Sequence, residues 1–174
     1  MIIAEKSLPS HINHFDPMRR FLAILAIMMA TTVAAHAQSI RLGETIPAIN
    51  VSPSVDETLA LYNRDYTCLI FAHSESQPCV DAMRNFRATA EEISLSCAIV
   101  VITGESEADS EAIIERLGIE EYIVAFDENN RTLKAFGIHY VPFAVVYRTK
   151  NSRIEWFGPI THFDKKTIKK LSNR

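Results

Sequence analysis

Residues 67–79 read Thr-Cys-Leu-Ile-Phe-Ala-His-Ser-Glu-Ser-Gln-Pro-Cys, and they join two different patterns. The first six form a continuous apolar run, which predicts a buried β-strand over Thr67–Ala72. From Pro78 to Leu95, apolar residues recur at helical spacing with charged residues between them, which predicts an amphipathic helix. Proline suits the first turn of a helix. The stretch therefore predicts a core strand that leads through a short polar loop into a helix.

The remaining chain alternates strands and helices. Further strands are predicted over Ala98–Ile102, Tyr122–Phe126, Phe143–Tyr147 and Ile154–Phe157, and further helices over Glu107–Leu117, Asn130–Phe136 and Asp164–Leu171. Glycine follows two of these helices, at Gly118 and Gly137, and Asp164 is the predicted N-cap of the last one. Apolar strands that alternate with helices indicate a sheet covered on both faces. The polar turn Thr149–Ser152 makes the last two strands antiparallel, so we predict one α/β domain with a central mixed β-sheet and helices on both faces.

The first 37 residues have the features of an export signal. Arg19 and Arg20 precede an apolar run over Phe21–Ala35, which is shorter than the roughly 20 residues of a membrane-spanning helix. Small residues at Ala35 and Ala37 fit cleavage after Ala37. We predict a signal peptide over 18–37 and a periplasmic or secreted domain over 38–174, with an uncleaved anchor as the alternative. Residues 1–17 are interpreted as an N-terminal extension from an overlong start.

Composition excludes several function classes. The chain has 174 residues and a net charge of −3, so no global excess of positive charge favours nucleic acid or an anionic membrane surface. We expect no nucleic-acid partner, and no membrane association after signal cleavage. Three cysteines are too few for a disulfide scaffold, and they form no zinc-ligand pattern.

Five short motifs occur in a specific order along the predicted domain. They are Gly-Glu-Thr-Ile-Pro at 43–47, the loop and helix start at 71–79, Ala-Phe-Gly-Ile at 135–138 after Asp127, Val-Pro-Phe at 141–143, and Gly-Pro at 158–159. Together they resemble the thioredoxin-like superfamily, in its exported TlpA-like and redoxin (AhpC/TSA-related) branch. The resemblance implies a thioredoxin-like fold and a protein of the thiol-redox class.

The position that carries the chemistry in that superfamily departs from the pattern. Thioredoxin chemistry needs Cys-x-x-Cys at a helix N-terminus, where the first thiolate attacks and the second thiol resolves the mixed disulfide. This chain has Ser76-Gln77-Pro78-Cys79, so Ser76 replaces the nucleophile and Cys79 is the one candidate thiol. Ala72 and Glu75 stand where the family has aromatic residues, and Ile70 stands at the position of its buried acid. We therefore expect no cycling as a dithiol reductase.

Three interpretations of this site stay open. Cys79 forms mixed disulfides with a peptide or protein thiol, or it acts with Ser76 in peroxiredoxin-like peroxide reduction, for which Arg84 is the candidate cation. Alternatively, the site is redox-silent and holds a peptide partner, with Cys79 a structural residue. In each thioredoxin-like interpretation the resemblance implies a cis bond before Pro142. The backbone of Val141 then pairs with an extended peptide, so that Val141 and Pro142 are the candidate substrate-binding residues.

The other candidate ligands are weaker. Cys68 and Cys97 begin two neighbouring strands, and they are interpreted as a buried thiol pair, with a disulfide as the alternative. His73 and His139 flank the predicted site, and we interpret them as loop histidines exposed to solvent. One thiol and two scattered histidines do not make a metal site, and we predict neither a metal nor a cofactor.

Overall fold

The computed structural model describes residues 39–53, 55, 59, 63–90 and 96–172. These residues belong to a unit that runs from Ala37 to Arg174. The predicted N-terminal extension over 1–17 and the signal peptide over 18–37 lie outside the described residues. Within the described part of the chain, no helix is both long enough and apolar enough to cross a membrane.

A five-stranded mixed sheet forms the centre of the fold. Its strands are β1 (Tyr66–Phe71), β2 (Cys97–Thr103), β3 (Ile123–Phe126), β4 (Phe143–Arg148) and β5 (Arg153–Pro159). They lie in the order β3-β2-β1-β4-β5. The first three strands are parallel to one another, and β4 is antiparallel to both β1 and β5. The predicted mixed sheet and the antiparallel hairpin at its end are confirmed.

Four α-helices whose bounds lie within the described residues accompany the sheet. They are α1 (Gln77–Ala90), α2 (Ser110–Leu117), α3 (Arg131–Ala135) and α4 (Lys165–Ser172). Three predicted helix ends are confirmed: Gly118 and Gly137 both have a φ of 65°, and Asp164 Oδ1 accepts the N–H of Thr167 at 2.8 Å. The predicted end of the first helix at Leu95 lies outside the described residues.

Among the described helix boundaries, the start of α2 differs most from the prediction. The segment Glu107–Asp109 is a 3₁₀ turn, and α2 begins only at Ser110. The side chain of Ser106 accepts the N–H of Ala108 at 3.3 Å and so caps this tight turn. Serine at such a position satisfies a free N–H locally, which sets the end of an element in a way that apolar spacing does not reveal.

Two apolar cores cover the two faces of the sheet. Along β1, Cys68 and Ile70 face one core, whereas Leu69 and Phe71 face the other. The first core includes the buried faces of α1, α2 and α4, and the second includes Phe136 and the partly buried Leu133 of α3. Side chains of a strand alternate between faces, so the continuous apolar run of β1 supplies both cores at once. Helices on both faces are thereby confirmed.

One edge of the sheet gathers the loops of interest. Phe71 ends β1 and pairs with Phe143, the first residue of β4. Thr103 ends β2 and pairs with Phe126, which ends β3. The loops that follow the three parallel strands, and the loop that leads into β4, therefore emerge side by side.

Candidate functional site

At the start of α1, the serine and the cysteine of the Ser-x-x-Cys motif have different surroundings. The C=O of Ser76 accepts the N–H of Cys79 at 2.9 Å and that of Val80 at 3.1 Å, and Pro78 lies in the first turn, where its missing N–H costs nothing. Ser76 is half-buried, whereas Cys79 is 0% exposed and belongs to the same apolar core as Ile70 and Met83. The position that meets solvent carries a hydroxyl, and the thiol lies in the core.

The charged residues near the start of α1 form ion pairs that do not involve Cys79. Arg84 forms an ion pair with Asp81 at 3.4 Å, and its side chain is 73% exposed. Glu75 is also exposed and lies 3.8 Å from Arg116 of α2. Arg84 therefore lies on the solvent side of α1, away from the face that buries Cys79.

A carboxylate that the sequence analysis missed organises the loop between β1 and α1. Glu105 follows β2, and its Oε2 accepts the N–H of Ser74 at 2.8 Å and the hydroxyl of Thr103 at 2.7 Å. Its Oε1 accepts the hydroxyl of Ser74 at 2.5 Å. Ser74 and Thr103 are both buried, so each polar group has found a partner inside the fold.

These contacts also determine the charge state of Glu105. Burial raises the pKa of its carboxyl group, but the hydrogen bonds from Ser74 and Thr103, together with nearby His73, lower it further and leave the pKa below its ordinary value. Glu105 is therefore ionised at neutral pH. The only sequence signal was an acidic residue directly after a predicted strand end, and the partner loop lies 31 positions away in the chain.

The two loop histidines are exposed, as the sequence indicated. The side chain of His73 is 46% exposed; its Nδ1 accepts the N–H of Glu75 at 3.3 Å and lies 3.6 Å from Oε1 of Glu105. His139 is exposed as well. No group of three or more His, Cys, Asp or Glu side chains in the described residues is arranged to hold a metal ion.

The loop that leads into β4 and contains Val141 and Pro142, which we call the β4 loop, has backbone groups that no described residue bonds. The Val141–Pro142 peptide bond is cis, and both residues are half-buried. The side chain of Val141 packs against both apolar cores. Within the described part of the chain, neither its N–H nor its C=O has a hydrogen-bond partner. Its neighbour Tyr140 is 55% exposed and meets the ring of Phe143 edge-on, with centroids 5.4 Å apart.

The other two cysteines are free thiols, like Cys79. Cys97 is the register partner of Tyr66, so Cys68 lies two residues further along the neighbouring strand. A strand spacing of about 4.8 Å and an offset of about 6.6 Å place their Cα atoms about 8 Å apart, which exceeds the limit of about 7 Å for a disulfide. Burial raises the pKa of Cys97 to about 12, and burial together with Cys97 raises the pKa of Cys68 well above its ordinary value. The two residues are free thiols rather than a disulfide, and the expected burial holds for Cys68, whereas Cys97 is only partly buried.

Comparisons with known proteins identify the fold. No protein-family model matches the sequence, and no curated protein matches it. Solved structures do match, at low identity. The thioredoxin domain of a thiol-disulfide oxidoreductase from Bacteroides vulgatus is 13% identical with a TM-score of 0.57, and the match covers 78% of this chain and 97% of that one.

Two further solved structures match similarly. Thiol peroxidase from Chromobacterium violaceum is 14% identical with a TM-score of 0.60, over 78% of this chain and 87% of that one. Reduced Prx3 from Vibrio vulnificus is 15% identical with a TM-score of 0.53, over 78% of this chain and 99% of that one. At such identities the likeness concerns the fold alone. The chain has a thioredoxin-like fold.

Proposed function

We propose that this protein binds an extended peptide segment of a partner at the loop of Val141 and Pro142, without thiol–disulfide cycling. The proposal rests on the backbone N–H and C=O groups of Val141. Its N–H and C=O have no partner among the described residues, and they lie next to the first pair of β4, where a short added strand could bond to them. An extended peptide supplies one C=O and one N–H to such a residue.

The burial of Cys79 supports a redox-silent site. A thiolate is the nucleophile in disulfide exchange, and it must reach the sulfur that it attacks. Cys79 is 0% exposed, so a mixed disulfide through this thiol requires the first turn of α1 to open. Ser76 has the accessible position, but its hydroxyl is not ionised near neutral pH. The burial of Cys79 also argues against peroxide reduction. In addition, the candidate cation Arg84 forms an ion pair with Asp81 on the exposed side of α1.

We further propose that the domain acts after export, in the periplasm or as a secreted protein. Support comes from the basic, apolar and small-residue pattern over residues 18–37. In an oxidising compartment an accessible thiol is modified unless it is used. Burial of Cys68 and Cys79 is consistent with a protein whose thiols are kept out of that chemistry.

The proposal is tested by titrating the ¹⁵N-labelled domain over 38–174 with extended peptides and following its backbone amides by NMR. We expect binding to shift the amide signals of Val141 and of its neighbours in the β4 loop. The variant Val141→Pro removes the N–H donor, and we expect it to weaken binding about tenfold, in line with the loss of a hydrogen bond whose partner stays buried.

Val141→Ala is the matched control, because it shortens the same side chain and keeps the N–H. It is expected to bind the peptides with an affinity close to that of the wild type. Equal binding by Val141→Pro and Val141→Ala would place recognition elsewhere on the surface. Absence of any shift at the β4 loop with all peptides would refute the proposed function.

A further inference from the structure

We infer that a small cavity beside Val141 receives a tyrosine side chain of the bound peptide. The inference rests on the proposed peptide site and specifies its sequence preference. The cavity has a volume of about 140 Å³ and opens between the ends of β1 and β2, the start of α3 and the β4 loop. We call it the Val141 cavity. It is lined by Phe71, Ala72, His73, Ile102, Gly104, Asp127, Asn130, Leu133 and Val141.

The size and walls of the Val141 cavity fit one aromatic ring. Its apolar lining includes Phe71, Ile102 and Leu133, which belong to or pack against the second core. An apolar cavity of about 150 Å³ is large enough to hold benzene. A ring of six carbons therefore fills the space, whereas an alanine side chain leaves most of it empty.

Two exposed polar residues line the cavity, Asn130 and His73, and their side chains can bond to a hydroxyl. Within the described residues, the side-chain amide of Asn130 makes no hydrogen bond. Its Oδ1 lies only 2.5 Å from the place of a Cβ on Gly104, so the missing side chain of this glycine is what lets the amide lie over the opening. The Nε2 of His73 likewise has no partner in the described part of the chain. A phenol hydroxyl both donates and accepts, so it can bond to either group.

The charged groups near the cavity bear on which side chains it can receive. Asp127 is buried, and its carboxylate accepts the N–H groups of Arg131 at 2.7 Å and Leu133 at 3.0 Å. The ionised Glu105 lies next to His73. Two carboxylates disfavour an acidic side chain nearby. Both oxygens of Asp127 already accept backbone N–H groups, and burial would remove the hydration of an ammonium group. A neutral ring with a hydroxyl satisfies both conditions.

The cavity is adjacent to the proposed backbone contact. Val141 lines the cavity and also presents the open N–H and C=O. Successive side chains of an extended strand point to opposite sides. A peptide that pairs with Val141 therefore directs one side chain of its strand toward the opening.

The test uses a series of peptides with the sequence acetyl-Ser-Ala-Val-X-Val-Ala-Ser-amide, in which X is Tyr, Phe, Asp or Ala. Affinities are measured by NMR titration of the wild-type domain. We expect the Tyr peptide to bind about tenfold more tightly than the Ala peptide, because it buries an aromatic ring, and the Asp peptide to bind no better than the Ala peptide. p-Cresol, which is the free tyrosine side chain, is expected to shift the amides of Gly104 and Leu133.

Two variants examine the walls and the polar rim separately. Leu133→Phe fills the cavity and is expected to remove the preference for Tyr over Ala, whereas Ile114→Phe enlarges a partly buried side chain of α2, in the other core, and should preserve it. Asn130→Gly removes the amide while keeping the backbone at its φ of 52°. This variant should bring the affinity of the Tyr peptide down to that of the Phe peptide.

The outcomes separate the two proposals. Equal affinity of the Tyr and Ala peptides, with shifts at Val141, would overturn the tyrosine pocket and leave the peptide site intact. A Tyr preference that survives Leu133→Phe would also overturn it. If p-cresol shifts Gly104 and Leu133 while no peptide shifts Val141, the aromatic pocket stands and the peptide site is wrong. If neither probe produces a shift, both proposals fail.

Discussion

The start of α1 and the loop before β4 lie next to each other at one edge of the sheet, but they differ in what they leave open. At the start of α1, the C=O of Ser76 is bonded twice and the thiol of Cys79 is buried. In the β4 loop, the N–H and C=O of Val141 have no partner in the described residues. One region has its thiol enclosed, and the other has backbone groups that no described residue bonds.

In the proposed function, peptide binding and nucleophilic chemistry depend on different parts of this edge of the sheet. Nucleophilic chemistry depends on one side chain at a helix N-terminus. Recognition by strand addition depends on backbone geometry, which a change from thiol to hydroxyl at a nearby position does not alter. The Glu105 network supports this separation, because it holds the loop of Ser74 in place through contacts that do not involve Cys79. Four predictions address the contrast.

The largest expected effect is a gain of activity in Ser76→Cys. It places a thiol at the accessible position, where the helix N-terminus favours a thiolate, with Cys79 available to resolve. We expect insulin disulfide reduction at least about tenfold above the wild type and a disulfide that consumes two thiols on oxidation. Lys150→Cys, which adds an exposed thiol in the turn between β4 and β5, is the control. If all thiols of Ser76→Cys stay free after treatment with an oxidant, the start of α1 does not support disulfide formation.

The second prediction concerns alkylation of the wild-type domain at pH 8, with each cysteine assigned by mass spectrometry. A pKa of about 12 leaves Cys97 almost entirely protonated, and burial protects Cys68 and Cys79. We expect all three to react at least roughly 100-fold more slowly than a free cysteine, whose pKa is about 8.5. In guanidinium chloride the protection should disappear. Rapid labelling of Cys79 in the folded protein would revive the thiol-redox interpretation.

The third prediction is a loss of stability in Glu105→Ala. This change leaves the N–H and hydroxyl of Ser74, and the hydroxyl of Thr103, without their acceptor. We expect the free energy of unfolding in urea to fall by about 1–3 kcal/mol. Glu111→Ala, on the exposed face of α2, is the control and should change it by no more than about 0.5 kcal/mol. A similar effect of both variants would mean that the network does not hold the loop.

The smallest expected effect is the pH dependence of the stabilisation that Glu105 provides. The folded pKa of Glu105 is lowered relative to an unfolded value of about 4.3. The stabilisation is therefore fully present above that pH and is lost as pH falls through the folded pKa. The difference in stability between the wild type and Glu105→Gln should be constant near neutral pH and shrink below about pH 4. A difference that grows on acidification would contradict this assignment.

The sequence predicted those parts of the fold that depend on local pattern. The apolar runs of β1 and β2 and the amphipathic spacing of α1 identify elements without knowledge of their neighbours. Gly118 and Asp164 were predicted as helix ends because their roles involve residues within a few positions of themselves. The 3₁₀ turn before α2 escaped prediction because a side-chain hydrogen bond, rather than apolar spacing, sets it.

The candidate site was only partly predictable. Ser76, Cys79, Val141 and Pro142 were found through motifs in the chain. Glu105 and Asn130 were not, because their roles arise from loops that come together only when the strands pair. Ser74 and Glu105 are separated by 31 positions, and the Val141 cavity draws its walls from β1, β2, α3 and the β4 loop.

The sequence by itself determined the order of strands and helices, the replacement of the nucleophile by Ser76, and the presence of a single thiol in the motif. Only the tertiary structure decided that Cys79 is fully buried, that Cys68 and Cys97 are too far apart to bond, and that Val141 has open backbone groups beside a cavity. The reason is physical: residue types and their spacing are local properties of the chain. Burial, distance and unsatisfied hydrogen bonds are properties of segments brought together by packing.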